Sequence, residues 1–485
     1  MRSVCFLSSS YCRAMMLLPS LFTLLILFSS LFIILLCIHM AVDDVASRTK
    51  TVVGHNLDPT PWHPFNKEEA DAHPLLLHAS RILQCSYLSC RFPTTAFPSS
   101  SDPAAADHHH HKRKKNINSS SSTCPSFFRS SIHRDLEPWS RSGITPAILA
   151  GAQRHASMRI VIMGGRRLYL DLYYACVQSR AMFTVWGLLQ LLRRYPGKIP
   201  DVDILFDCMD RPTIHRSNYS DVEPPPPLFR YCTTRDHLDI PFPDWSFWGW
   251  SEINIKPWDE EFRTIKFGSQ AVPWKTKDAT AYWKGNPDVQ SPIRTALLSC
   301  NDTEMWGAQI MRQDWKKESS SGFKNSGLSS QCNHRYKIYA EGYAWSVSLK
   351  YILACGSLAL IIDPLYEDFF TRGLVPKQNY WPISASNLCE SVKSAVDWGN
   401  QHPTQAERIG KRGQGLMEEL DMDRVYDYMY HLLVEYAKLQ VFKPALSPTA
   451  QEVCLESILC LANEKQRQLL ESSLASSSFS PPCTI

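Results

Sequence analysis

The sequence predicts an α/β body of two lobes carried behind a single N-terminal transmembrane helix. Three observations lead there: an uncharged apolar run from Ala14 to Ile38, a strand–helix–strand pattern over residues 159–206, and a second over residues 335–362. A chain of 485 residues is long enough for two domains, and an apolar fraction of 44% is enough to build their cores. The formal charge is only +4, with Lys and Arg spread among Asp and Glu, which is no footprint for nucleic acid.

The run LLPSLFTLLILFSSLFIILLCI is dense in Leu, Ile and Phe. About 20 residues of helix cross the hydrocarbon core of a bilayer, so this segment is long enough to span. The apolar stretch of a cleaved signal peptide is shorter, about 7–15 residues, and ends in small residues. A signal anchor over residues 14–38 is therefore the expectation. Arg2 and Arg13 precede the span while Asp43 and Asp44 follow it, a bias that puts residues 1–13 in the cytosol as a short tail and the body in a lumen. Residues 39–130 read as a stalk or disordered linker, because TTAFPSSSDPAAADHHHHKRKKNINSSSS has no sustained period. Its basic cluster HHHHKRKK lies within that low-complexity tract and reads as solvated tail rather than a metal or nucleic-acid site.

The folded body is expected over residues 131–465. ITPAILAGAQRHA (144–156) reads as a helix, with Gly143 before it and Pro146 near its start. RIVIMGG (159–165) is a short strand. In SRAMFTVWGLLQLLRRY (179–195), Phe183, Trp186, Leu188 or Leu189, and Leu192 share one face of a helix that Pro196-Gly197 ends. VDILF (202–206) is a buried strand, and strand, helix and strand in succession argue for parallel α/β architecture. In such sheets ligands gather beyond the carboxyl ends of strands, where Asp207 and Asp210 of DCMDRP lie.

The middle of the chain is different. SDVEPPPPLFRYC (220–232) carries four successive prolines and must be loop or polyproline-like. DIPFPDWSFWGW (239–250) crowds Trp245, Phe247 and Trp248 into one loop. That is either packed loop core or a platform for a sugar or peptide acceptor, whose apolar faces suit rigid rings. AYWKGNPDVQSPIRTALLSC (281–300) places Lys284, Gly285 and Asn286 in a turn ahead of a helix carrying Arg294, with Pro292 at its start. Residues 303–327 are polar and read as surface helix. RYKIYA (335–340) is a strand, Glu341-Gly342 a turn, Ser346 to Ala354 a helix and SLALII (357–362) a strand, which makes the second lobe. Residues 406–439 are helical with an interruption near Gly413 and Gly415; Val425, Tyr428 or Met429, Leu432 and Tyr436 line the core-facing side. Residues 466–485 read as a flexible tail.

A few side chains stand out for chemistry. Gly342, at a strand–helix turn, permits close approach of a phosphate, although the chain has neither the dinucleotide-binding glycine fingerprint nor a P-loop. Lys284, Arg294 and Lys350 sit in structured, aromatic-rich settings; together they would hold a diphosphate, and singly each is equally a structural ion-pair partner. Glu341 is placed to accept hydroxyl hydrogens from a ribose or sugar. Asp210 is placed to take a proton from an acceptor hydroxyl about 3 Å away, although aspartates after strands are commonly structural. Sixteen cysteines are present, seven of them outside the expected body (Cys5, Cys12, Cys37, Cys85, Cys90, Cys124 and Cys483). Neither close Cys pairs nor zinc-like Cys/His spacings occur, so a few luminal disulfides are expected and no metal. Asn118, Asn218 and Asn301 begin N-x-S/T triplets, which accept glycans only in a lumen.

Taken together, RIVIMGGRRLYLD, FTVWGLLQLLRRYPGKIPDVDILFDCMDRP, PPPPLFRYC, FPDWSFWGWSEINIKPW, AYWKGNPDVQSPIR, QCNHRYKIYAEGYAWSVSLKYILACGS and DRVYDYMYHLLVEYAKL resemble, in order, the CAP10-domain family of rumi-like protein O-glucosyltransferases in its plant form. The resemblance implies a glycosyltransferase domain over residues 131–465 built from two Rossmann-like lobes of the GT-B type. It implies inverting transfer of glucose or xylose from a UDP-sugar, with no bound metal or other cofactor, to a hydroxyl of a secreted protein or a cell-wall glycan. In this family the general base falls on Asp210 of MDRP, and the arginine placed against the diphosphate falls on Arg294. Lys284, Gly285 and Asn286 match the turn that faces the donor; Glu341, Gly342, Ser346 and Lys350 match donor-lobe positions, the first of them basic in some animal relatives. Trp245, Phe247 and Trp248 would position the acceptor. The chain closes on PPCTI rather than a KDEL-like signal. Retention by the anchor is then expected, as a single-pass type II protein of the Golgi or endoplasmic reticulum membrane. The alternative is a luminal protein on the same fold that binds a sugar nucleotide or glycan without turnover.

Overall fold

The computed structural model describes residue 90 and residues 123–220, 223–477 and 480–485, and two β-sheets organise them. The expected cytosolic tail (1–13), signal anchor (14–38) and most of the stalk lie outside the described residues. Among the described residues no helix is long and apolar enough to cross a membrane.

The first sheet has six strands in the order β11-β2-β1-β3-β4-β5: β1 (Met158–Met163), β2 (Arg167–Leu172), β3 (Val202–Phe206), β4 (Phe229–Arg230), β5 (Ile240–Pro241) and β11 (Gln451–Val453). Here the parallel arrangement expected of the first lobe gives way to a mixed sheet. β1 runs antiparallel to both β2 and β3. The cause is local: Gly164 and Gly165 have φ of +60° and +63°, the left-handed pair that a tight hairpin turn demands. The chain therefore folds straight back through RLYLDL, and the helix Arg180–Arg194 crosses from β2, not β1, to β3. That helix buries Phe183, Trp186, Leu188, Leu189 and Leu192 as its periodicity requires.

The second sheet is wholly parallel, in the order β10-β9-β8-β6-β7: β6 (Asp278–Gly285), β7 (Ala308–Arg312), β8 (His334–Tyr339), β9 (Leu358–Ile362) and β10 (Trp381–Ile383). β9 sends Leu358, Leu360 and Ile362 into one hydrophobic core and Ala359 and Ile361 into another, so both faces are covered and the strand reads as unbroken apolar sequence. The helix Ser348–Ala354 joins β8 to β9. β7 lies where surface helix was expected. It is an edge strand that buries Ala308 and Ile310 but exposes Met311 and Arg312, which thins its apolar signal.

Two further boundaries differ from expectation. The helix Pro403–Glu419 runs unbroken through Gly413 and Gly415, and the break falls at Leu420, after which the Asp421 side chain caps the helix Met422–Leu439. The described residues between 466 and 485 are not a loose tail: the helix Glu464–Ser472, hydrogen bonds from Trp186 to Ser473 and from Ala475 to Gln190, and a Cys124–Cys483 disulfide tie them down. The last residues of the expected stalk likewise belong to the body, where the helix Phe127–Leu136 packs. Cys90–Cys454, Cys176–Cys208, Cys300–Cys389 and Cys332–Cys355 are also bonded, while Cys232 is a buried free thiol.

Candidate active site

The loop that follows β3 is held rigidly from behind. Asp207 is buried against Arg230 and the Tyr174 hydroxyl, and Asp239 accepts hydrogen bonds from the backbone of Thr213 (3.0 Å) and Ile214 (2.9 Å). Asp210 rises from this frame. Its carbonyl accepts from the Cys232 thiol at 3.2 Å, and its carboxylate pairs with Arg180 Nη1 at 2.5 Å. The Asp210 side chain keeps 26% of its surface exposed and Arg180 only 5%, so the carboxylate is the more open of the two toward the space beside them.

That open space is a cavity of about 200 Å³, lined on one side by Arg180, Asp210, Trp245 and Trp250. Its other side comes from the second sheet: Trp283, Lys284, Gly285 and Asn286 at the end of β6, Arg294 in the helix Pro292–Leu297, and Gly342 to Ser346 after β8. Asp210 and Arg294, remote in sequence, thus line one chamber.

Arg294 is the most informative cation. It donates to the carbonyls of Asn286 (2.9 Å) and Ala340 (3.1 Å) and to Ser346 Oγ (3.3 Å), all of them neutral oxygens. Burial without a carboxylate partner lowers its pKa to about 10. Gly342 makes room for it: a Cβ there would sit 3.2 Å from Nη2. Gly285 serves a similar end, since a side chain would strike the Trp283 indole. Lys284 donates to the Asn325 carbonyl and Asn286 Oδ1 accepts from Asp288 N, so the turn they form is itself braced.

Four expected site residues lie elsewhere. Lys350 is wholly buried, its ammonium 3.0 Å from Asp244 and 2.8 Å from Ser246 Oγ, which neutralises it before any ligand arrives. Glu341 turns away from the chamber to accept from the amides of Leu365 (3.1 Å) and Tyr366 (2.9 Å), and burial pushes its carboxyl up to about 7. Phe247 and Trp248 are packed core; the Trp248 indole donates to the Tyr426 hydroxyl and fills the space over Gly187. Of the three aromatics expected to meet an acceptor, Trp245 alone reaches the chamber, where Trp250 of the same loop joins it.

Two lining cations were not singled out from the sequence. Lys337 is buried on β8, donates to Gln331 Oε1 at 3.1 Å, and has its pKa lowered to about 7 by burial and by neighbouring Lys277. A charged residue in the middle of RYKIYA was the available signal. Arg180 occupies the first position of its helix, where a cation opposes the helix dipole, and that misfit was its signal. Among the described residues one group, Cys124, His431 and Cys483, has ligand-like spacing, but its two sulfurs are joined in the disulfide.

The arrangement therefore sets one carboxylate able to take a proton against two basic groups, Arg294 and Lys337, that hydrogen-bond to neutral oxygens, with Glu341 near Arg294 but bonded to backbone amides. Such an arrangement is able to hold an anion on one wall and to take a proton on the other.

Comparison with known proteins supplies a family. The family described as Glycosyl transferase family 90 matches residues 119–485. The chain is similar to an O-glucosyltransferase rumi homolog of Anopheles gambiae, 27% identical over 319 residues covering 63% of this chain and 76% of that protein. It is similar also to human Protein O-glucosyltransferase 1, 27% identical over 327 residues covering 64% of this chain and 80% of that one. Among solved structures, sucrose-phosphate synthase from Thermosynechococcus elongatus matches 37% of this chain and 49% of its own at 10% identity, with a TM-score of 0.25, too slight a likeness to argue from.

Proposed function

Since this chain belongs to glycosyl transferase family 90 and is a glycosyltransferase, we propose that it moves glucose or xylose from a UDP-sugar to a hydroxyl of a secretory-pathway protein or glycan, with inversion at the anomeric carbon. The observation that carries the reading is the shared chamber: Asp210 on one wall, and on the other an arginine held only by neutral oxygens. Asp210 accepts the proton of the acceptor hydroxyl as its oxygen bonds to the anomeric carbon. The bond from that carbon to the phosphate oxygen breaks on the opposite face, and the electron pair leaves with UDP. Arg294, with Lys337 further along β8, stabilises the charge on the departing diphosphate, while Gly342 keeps that space clear. Leaving UDP needs no proton, so a second carboxylate is not required, and Glu341 and Lys350 serve as structure. Trp245, buried beneath Arg180, backs the acceptor side of the chamber.

Two sheets facing one chamber support a GT-B arrangement. Five disulfides among the described residues support a luminal body, because such bonds persist in oxidising compartments. Residence in the Golgi or endoplasmic reticulum membrane as a type II protein rests on the apolar run at 14–38. The deciding experiment incubates the purified protein with UDP-glucose, UDP-xylose and UDP-galactose and a panel of peptide and glycan acceptors, reading product mass. Transfer of glucose or xylose that is lost in Asp210→Asn is expected. Exclusive galactose transfer would overturn the donor reading, and full turnover by Asp210→Asn the base. Nucleotide binding with no turnover on any acceptor would instead favour a binding protein on this fold.

A further inference from the structure

We propose that Arg180 is a positioning residue of the transfer reaction, fixing the Asp210 carboxylate so that only its second oxygen is open to the acceptor hydroxyl. This rests on the reading of Asp210 as the base.

The geometry is specific. Arg180 Nη1 lies 2.5 Å from Asp210 Oδ1, and the guanidinium is buried in the chamber wall beside the carboxylate. The guanidinium lies over the Trp245 indole, with Cζ 4.3 Å from the ring centroid. Trp245 is 1% exposed and wedged between Tyr231 (5.0 Å) and Trp250 (4.9 Å), so the guanidinium rests on a surface that cannot yield. The root of the side chain is equally fixed: Ser179 donates through both its amide and its hydroxyl to Glu252, each at 2.8 Å. The Asp210 backbone is held in turn by the Cys232 thiol.

Local structure gains little from this placement. Arg180 Nε is buried with no hydrogen-bond partner, whereas an arginine serving the fold ordinarily spends most of its five donors. It also stands at the first residue of its helix, the end that disfavours cations. The residue is thus poorly satisfied by its own surroundings and well satisfied only by Asp210. In the reaction Arg180 neither gives nor takes a proton. The acceptor proton goes to Asp210 Oδ2, the new bond forms from the acceptor oxygen to the anomeric carbon, and UDP takes the electron pair. Lysine cannot replace it fully, because an ammonium has neither the plane that stacks on Trp245 nor the fork that aims at one carboxylate oxygen.

The test compares the full chain as wild type, Arg180→Ala, Arg180→Lys, Asp210→Asn and the Arg180→Ala/Asp210→Asn double variant, measuring kcat, KM for the UDP-sugar and recovery by added guanidinium. Arg180→Ala should lose about a hundredfold in kcat, the scale of an ångström-sized misplacement, with donor KM held within about threefold. Millimolar guanidinium should restore part of that loss, but none in the double variant, which should turn over no more slowly than Asp210→Asn alone. Arg180→Ala with near wild-type kcat, or with donor KM rising in step with the loss, overturns the proposal, as does a double variant slower than Asp210→Asn. Should Arg180→Ala not fold, Arg180→Lys decides: a fall in kcat at unchanged donor KM supports the assignment and wild-type kcat overturns it. If Asp210→Asn turns over like wild type, the base reading itself has failed. If only the Arg180 variants are silent, this inference alone has failed.

Discussion

Arg294 and Lys350 read alike in the sequence, as basic residues in aromatic surroundings, and their partners separate them. Arg294 is held by carbonyls and a hydroxyl and keeps its charge for a ligand; Lys350 meets Asp244 and Ser246 inside the core. Arg294→Met should therefore raise the UDP-sugar KM at least tenfold, with a fall in melting temperature smaller than that of Lys350→Met because only neutral acceptors lose their partner. Lys350→Met should do the reverse. It strands Asp244 without its counter-charge, a loss of about 3–5 kcal/mol in urea unfolding. Equal effects of the two on donor affinity would return Lys350 to the site. Lys337 gives a pH signature. Its proton leaves near pH 7 in the folded protein, against 10.5 for an ordinary lysine, because burial and Lys277 disfavour the charge. Between those values the unfolded chain binds the extra proton, so this group's contribution to stability falls as pH drops from about 10.5 to about 7. Thermal melts across that window should show a flatter slope for Lys337→Met than for wild type. Parallel slopes would mean the ammonium is better solvated than its position on β8 implies.

At the scale of elements, long periodic segments were legible and pairing was not. The helix over Arg180–Arg194 and the strands β3, β8 and β9 fall within a residue or two of where their patterns put them, because burial on one stripe or both faces dictates residue type directly. The β1–β2 hairpin is not legible from a strand, helix and strand in succession, which argues for parallel pairing, although Gly164-Gly165 between two apolar runs is a hairpin signal. Glycines in the helix Pro403–Glu419 misled in another way. They looked like breaks, yet Gly410 is small because the backbone of Gly356 and Ser357 lies against it, and Gly413 faces the Asn379 carbonyl. Gly410→Ala tests this reading. Alanine favours an exposed helix by about 1 kcal/mol, so a drop in melting temperature, from a packing penalty of about 1–3 kcal/mol, would show that close approach to β9 outweighs propensity. A rise would show that the helix can shift.

For the molecule as a whole, the two ends of the body are tied together. The Cys124–Cys483 disulfide spans a sequence separation of 359 residues, and the C-terminal segment returns to the first lobe through Trp186, Gln190 and Arg193. Cys124→Ser/Cys483→Ser should cost about 2–5 kcal/mol and lower the melting temperature without changing donor KM. A variant that melts like wild type would mean that non-covalent contacts alone hold the tail. The sequence by itself determined a two-lobed α/β body, since hydrophobic periodicity is a property of residues read along the chain, and its long ordered series of motifs carried the resemblance to a glycosyltransferase family. It also marked Asp210, Arg294 and the Gly342 turn as residues to watch. Which candidates face the chamber was decided only in three dimensions. Pointing inward or outward depends on what packs behind a side chain, and for Lys350 (Asp244), Glu341 (the amides of residues 365–366) and Arg180 (Asp210 and Trp245) the deciding partners come from distant parts of the chain.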